Sequence, residues 1–253
     1  MRAIRELLYH PGGVQGRVKW VVLIVVAVQF LYPLGQSDAI WRRLVFQSFY
    51  GLLFVAGILV SRGRPRIIVG LVAVAAVWGV VDVISLFYTA QLWSLLLAYA
   101  SVICLQGAVF YVLIDYIATA RRITADVLYA AIAAYLLLGG MFVPIFGTIE
   151  TLTWVGSGYT LNAFTDPGIP TGDQMPWQSL IYYSYATLTT LGYGDMLPVT
   201  SWARSAATFE AVLGVLYTTI ILARLVGLYT ADDVEEEMKT VDGDLAAHES
   251  VRT

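Results

Sequence analysis

Apolar positions run through this chain in long blocks rather than alternating with polar ones. Such blocks cover 18–33, 44–61, 67–89, 92–120, 125–147 and 202–230. A helix needs roughly 20 mostly apolar residues to cross a bilayer, so the pattern predicts an all-α membrane protein with six transmembrane helices. A shorter block at 177–189 is too brief to span and predicts a half-helix that enters the membrane and turns back. Residues 148–176 are rich in Gly, Pro, Thr and Asp without helical period, which predicts a long exposed loop. Composition agrees: 58% of residues are hydrophobic, 13% are charged, and mean hydropathy is +0.73, outside the balance of a soluble domain.

Basic residues fix an expected orientation. With the N-terminus in the cytoplasm, Arg2, Arg5, Arg17, Lys19, Arg62, Arg64, Arg66, Arg121 and Arg122 lie inside, against Arg42, Arg43 and Arg204 outside. Both termini of a multi-pass cell-membrane protein are then cytoplasmic, and 177–198 lies at the outer face. The first apolar run lacks a small-residue cleavage site, so a retained helix is expected rather than a signal peptide. Basic residues crowd the first two-thirds and acids follow Tyr229, an arrangement that argues against nucleic acid as a partner.

The half-helix leads into "ATLTTLGYGDMLP", residues 186–198, the polar run of a greasy region. Non-helical backbone at membrane depth survives only where protein surrounds it or where it lines water. Gly192 and Gly194 supply backbone freedom at alternating positions, so that successive carbonyls can point the same way. Stacked carbonyl rings, with the Thr190 hydroxyl as one more ring, can replace the water around a dehydrated potassium ion. One chain supplies one strut of such a cage, so copies must surround an axis.

Thr190-Leu191-Gly192-Tyr193-Gly194-Asp195 resembles the selectivity-filter signature of potassium channels, with Leu191 where Val or Ile is usual. The resemblance covers 125–230. Thr187, Thr189 and Thr190 match the hydroxyl-rich end of the pore helix, and Tyr182 and Tyr183 match the paired aromatics that brace the filter. "PVTSWARS" is similar to the start of the inner helix in small bacterial potassium channels, and Gly214 stands where that family keeps a hinge glycine. The resemblance implies a homotetramer in membrane lipid that passes K⁺ passively and needs no organic cofactor. It implies ion binding by Thr190, Leu191, Gly192, Tyr193 and Gly194, with Asp195 anchoring the outer mouth. Thr218, Leu222 and Val226 are the expected cavity residues by register from Gly214. The family's acid behind the filter falls here on Ala186, and Glu210 of the sixth helix is expected to take over as filter support.

Voltage-gated relatives carry Arg or Lys at every third position of the fourth helix, because each charge yields about 2.3 kcal/mol per 100 mV. This chain has no Arg or Lys between Ile67 and Ala120, so ordinary voltage sensing is not expected. The expected domains are an interfacial segment 1–17 built on Ile4, Leu7 and Leu8, a four-helix bundle 18–123 without gating charges, a pore domain 124–230, and an acidic tail 231–253. Asp82 and Asp115 read as polar anchors between helices, and Arg224 as an ion-pair partner or a side chain snorkelling to the surface. Asp232, Asp233, Glu235, Glu236 and Glu237 would form an acidic ring at the inner mouth or a solvated tail. Cys104 reads as a small core residue and His10 as a turn residue. No nucleophile–base pair or metal-ligand spacing points to an enzyme. Two other readings stay open: a less selective cation channel or a potassium-uptake transporter subunit, and a non-conducting membrane adaptor.

Overall fold

The structure is a computed structural model that describes residues 18–30, 40–61, 65–87, 91–120, 122–170 and 172–250. Side chains at 40–47, 49, 59, 82, 85–87 and 228–250 lie outside that description. The chain is mostly helical: α1 Val18–Phe30, α2 Ile40–Val60, α3 Pro65–Phe87, α4 Leu92–Ala118, α5 Ala125–Gly156, α6 Trp177–Leu188 and α7 Ser201–Ser250. Among the described residues three helical stretches are long and apolar enough to cross a membrane, Leu92–Ala118, Ala125–Gly156 and Ser201–Gly227. Val18–Phe30 and Pro65–Val81 are shorter apolar helices. The interfacial segment 1–17 with His10, the arginines Arg62, Arg64 and Arg121, and the ends of the first and third expected spans lie outside the described residues.

Helix α5 is the wall shared by two cores. Its first half, from Val127 to Leu137, is buried with Val21 and Val25 of α1, Leu53 of α2 and Leu105 and Val109 of α4. Its second half, from Leu138 to Phe146, is buried with Leu180, Ile181 and Leu188 of α6 and with Ala203 and Ala207 of α7. Thr124 starts the helix by accepting a hydrogen bond from the Val127 N–H at 3.4 Å, and Asp126 sits in the positive first turn.

Two features differ from the sequence expectation at the ends of helices. Helix α5 runs on to Gly156, beyond the expected 147, and stops where Gly158 takes φ +69°. There the Tyr159 N–H reaches the Trp154 carbonyl at 2.8 Å and the Gly158 N–H reaches Val155 at 3.1 Å, a glycine-based helix terminus that satisfies the last carbonyls. The stretch expected as loop from 148 is therefore helical for its first turns. Helix α7 likewise continues past 230 to Ser250, so the acidic tail is helical backbone.

Pro144 stands inside α5 and has no N–H for the carbonyl four residues back, that of Gly140. Gln106 of α4 fills the vacancy: its Nε2 donates to the Gly140 carbonyl at 3.2 Å, and Gln29 of α1 donates to Gln106 Oε1 at 3.2 Å. Both glutamines are fully buried. A Cβ on Gly140 would collide with both amides, so only glycine lets them approach. An unpaired buried carbonyl costs about 1–3 kcal/mol. Gln106→Leu is therefore expected to lower the thermal stability of the detergent-solubilised protein by that order. Adding Pro144→Ala, which restores the internal N–H donor, should return much of the loss; equal loss in both backgrounds would show that Gln106 does not serve that carbonyl.

Candidate functional site

Helix α6 is 12 residues long, about 18 Å at 1.5 Å per residue, too short to cross a membrane of about 30 Å. It spans the length expected for the half-helix, and Thr189 is its C-cap. Its buried face, Leu180, Ile181, Tyr183, Ser184 and Leu188, lies between α5 and α7. Two glycines permit this fit. A Cβ on Gly139 would meet Tyr185 Cε1 at 2.9 Å and Leu188 Cδ2 at 3.0 Å, and one on Gly214 would collide with the Leu188 carbonyl oxygen. Gly214 is thus a point of close backbone approach within an unbroken α7.

Beyond Thr189 the backbone changes hand at every second residue. Thr190 has φ +58°, Gly192 +53° and Gly194 +78°. At the two glycines a Cβ would meet nothing within 4 Å, so the backbone angle and not crowding calls for glycine. Thr190 is the unforeseen member of the series: a β-branched residue in the left-handed region is strained and needs surrounding structure to hold it. Its N–H is bonded to the Thr187 carbonyl at 3.0 Å, while the Leu191 and Gly192 N–H groups both turn back to the Ala186 carbonyl, at 2.9 and 3.2 Å. Among the described residues no donor reaches the carbonyls of Thr190, Leu191, Gly192 or Tyr193. Leu191 and Tyr193 themselves are exposed.

The C-terminal end of this run is tied to the half-helix. Tyr182 Oη donates to Asp195 Oδ2 at 2.7 Å, and the Met196 N–H donates to Asp195 Oδ1 at 3.0 Å. The rings of Tyr182 and Tyr193 stack 6.5 Å apart and 6° from parallel. The Tyr182 hydrogen bond, with help from backbone N–H groups, holds the Asp195 carboxyl below the ordinary carboxylate range. Tyr183 lies elsewhere: it is buried edge-on against Phe146 and Phe164, at 5.2 and 5.0 Å, and braces the loop rather than the run.

Glu210 of α7 is fully buried, and its Oε1 lies 2.5 Å from Ser184 Oγ, which is also 2.8 Å from the Gly139 carbonyl. Glu210 therefore meets α6 through Ser184, a residue the sequence reading did not single out. Two tyrosines add ties of the same kind: Tyr135 Oη donates to the Leu188 carbonyl at 3.2 Å and Tyr185 Oη to Leu136 at 2.7 Å. Thr189 bonds back to Tyr185 at 2.6 Å, and Thr218 to Val215 at 2.9 Å. Leu222 and Val226 are exposed on α7.

Glu150 is the residue that sequence reasoning missed most plainly, because it lay in a stretch read as loop. It is fully buried near the C-terminal end of α5. Its Oε2 accepts from the Ala163 N–H at 2.7 Å and its Oε1 from Asn162 Nδ2 at 2.6 Å. The Ala163 carbonyl in turn accepts from the Val199 N–H at 2.8 Å. Next to it, strand β1 Phe164–Thr165 pairs antiparallel with β2 Leu197–Pro198, directly after the Asp195–Met196 turn. An acid in an otherwise apolar helix was the available signal.

Residues 131–231 match a family model described as an ion channel. The chain carries an ion-channel domain. The match takes in α5, the loop, α6, the alternating run and the membrane part of α7, and it supports the potassium-channel family for this segment of a membrane protein. No solved structure matches the chain. The helices α1 to α4 lie outside the channel domain, yet they touch it directly: Phe30 packs on Tyr185 at 5.0 Å and Tyr99 stacks on Trp177 at 5.6 Å.

Two outcomes follow for the loop and the alternating run. Glu150→Ala leaves the buried Ala163 N–H without its acceptor, so amide exchange at 163–165 should rise at least tenfold, a local opening cheaper by about 1.4 kcal/mol or more. Protection equal to the parent would show that the loop is held by other contacts. For Asp195, a depressed carboxyl keeps the Tyr182 bond above the ordinary carboxylate value and loses it only as pH falls through its own lower value. Acidification to about pH 5 should therefore leave the Tyr182–Asp195 bond intact. Tyr182→Phe should move the acid-loss midpoint upward; an unmoved midpoint would dissociate the two groups.

Proposed function

We propose that the protein is a potassium-selective channel that conducts K⁺ passively as a homotetramer, with six spans per subunit and both termini in the cytoplasm. The observation that carries this reading is the alternating backbone at Thr190, Gly192 and Gly194. Left-handed and right-handed residues in turn rotate successive carbonyls to one side, and the N–H groups of Leu191 and Gly192 are already committed to the Ala186 carbonyl. Oxygens of Thr190, Leu191, Gly192 and Tyr193, with the Thr190 hydroxyl, then form the struts of a dehydrating cage. Gly194 ends the run at Asp195, whose carboxylate anchors the mouth and concentrates cations there.

What one chain leaves uncovered supports a tetramer. Of the three long apolar stretches α7 is the least buried, and Phe209, Val212, Val215, Leu216 and Ile220 stand exposed on it. Copies around a common axis would cover that surface and close the cage. The C-terminal end of α6, partly negative by its dipole, then points toward the axis and favours a cation beneath the filter. Ser184 and Glu210 support the filter from behind through α6. The first four helices hold no basic series at the fourth helix, so the conductance is not steeply voltage-dependent.

In planar bilayers with K⁺ on one side and Na⁺ on the other, reversal is expected to lie close to the K⁺ equilibrium potential, with open probability varying little over about 100 mV. Gly192→Ala, which forces a Cβ into a left-handed backbone at a cost of about 1–2 kcal/mol, should abolish that preference. Reversal near zero in the parent protein would favour the less selective channel. Absence of flux from K⁺-loaded liposomes would favour the adaptor.

A further inference from the structure

Arg224, expected as an ion-pair partner or a snorkelling side chain, lies on α7 toward the expected cytoplasmic side. Its guanidinium is bonded to the end of another helix. Nε and Nη2 donate to the Ile117 carbonyl at 3.2 and 3.0 Å, and Nη2 also reaches the carbonyls of Ala118 at 2.6 Å and Ala120 at 3.2 Å. Helix α4 ends at Ala118, so the Ile117 and Ala118 carbonyls belong to its last turn, the negative pole of the helix, and Ala120 lies just past it; Ile117 also accepts from the Ala120 N–H at 3.2 Å. A planar cation with several N–H groups fits such a cluster, and charge-assisted bonds are roughly twice as strong as neutral ones.

The neighbouring residues of α7 divide into two faces around this contact. Tyr217, Ile221 and Leu225 pack against the core formed by α1, α2, α4 and the first half of α5. Tyr217 Oη adds a bond to the Ala131 carbonyl at 2.8 Å. Leu222 and Val226, between them in sequence, are exposed on the other face. Arg224 therefore sits on the side of α7 that faces the bundle, while large apolar side chains at the same level face away from it.

We propose that Arg224 is a positioning residue of the inner gate, clamping the lower part of α7 to the C-terminus of α4. The inference rests on the channel reading and extends it to the role of the first four helices. In a tetramer, Leu222 and Val226 from four chains gain apolar contact by collapsing onto the axis, which narrows the pore. The clamp opposes that collapse, because α7 cannot move inward without either breaking the guanidinium bonds or carrying α4 with it. The bundle without gating charges then serves as the outer anchor of the open pore, and any influence that shifts α4 reaches the gate through Arg224.

Single-channel recording of the full-length tetramer in bilayers tests this. Arg224→Met is expected to lower open probability at least tenfold while unitary conductance and the K⁺/Na⁺ reversal potential stay at parent values. Arg224→Lys, which can reach one or two of the carbonyls, should fall between the two. Open probability within threefold of the parent, a rise in it, or a change in conductance or selectivity alongside it would overturn the clamp. So would an Arg224→Met that fails to assemble beside an Arg224→Lys that gates like the parent, since the residue would then be structural only. A parent chain that carries no K⁺ current would instead overturn the channel reading itself.

Discussion

The pivot of the molecule is the bare backbone of α5 at Gly139 and Gly140. Two adjacent residues without side chains serve opposite neighbours. At Gly139 the half-helix α6 comes close enough for Ser184 to bond the carbonyl, and at Gly140 Gln106 of α4, itself held by Gln29 of α1, does the same. Inside a membrane no solvent is at hand to satisfy a backbone group, so each such contact must be met by a specific side chain. Pro144 makes the second contact obligatory by withholding its own donor. Helix α6 on one side and α1 and α4 on the other are thereby seated on one helix within a turn of each other.

The half-helix and the alternating run after it were legible in the sequence because their demands are local. Glycine at alternating positions, a short apolar half-helix before it and a helix start after it are all written within a few residues of one another. The boundaries of α6 follow from Pro176 and from the polar run after Thr189. The ties that hold this region were not legible, since each joins residues far apart: Glu150 with Ala163, Gln106 with Gly140, Arg224 with the carbonyls of 117–120. A backbone carbonyl is an acceptor in every residue, so no residue type announces which one a distant arginine or glutamine will find. Thr190 is a subtler case. Its side chain suited the expected hydroxyl ring, while its backbone angle is imposed by the bonds of 190–192 back to the end of α6 and has no residue-type signature.

The charged and polar groups of the interior follow one rule. Glu150, Glu210, Gln29 and Gln106 are all fully buried, and each lies against a backbone group or a hydroxyl of another segment. Such contacts contribute little net stability where both partners would otherwise be solvated, yet they are costly to break once buried. They act as register marks. Apolar helices can slide past one another at small cost, and in this chain the buried acids and amides fix where along α5 the other helices stop.

The close approach of α7 to the Leu188 carbonyl at Gly214 has a mechanical consequence. Helix α7 is 50 residues of unbroken helix, so it has the form of a beam resting on a bearing at the C-terminal end of α6. At 1.5 Å per residue, the arm from Gly214 to Ser250 is about 54 Å and the arm to Ser201 about 20 Å. Any tilt about that bearing moves the C-terminal end nearly three times as far as the N-terminal one. A large stroke at the long arm is thus geared down to a small one at the short arm.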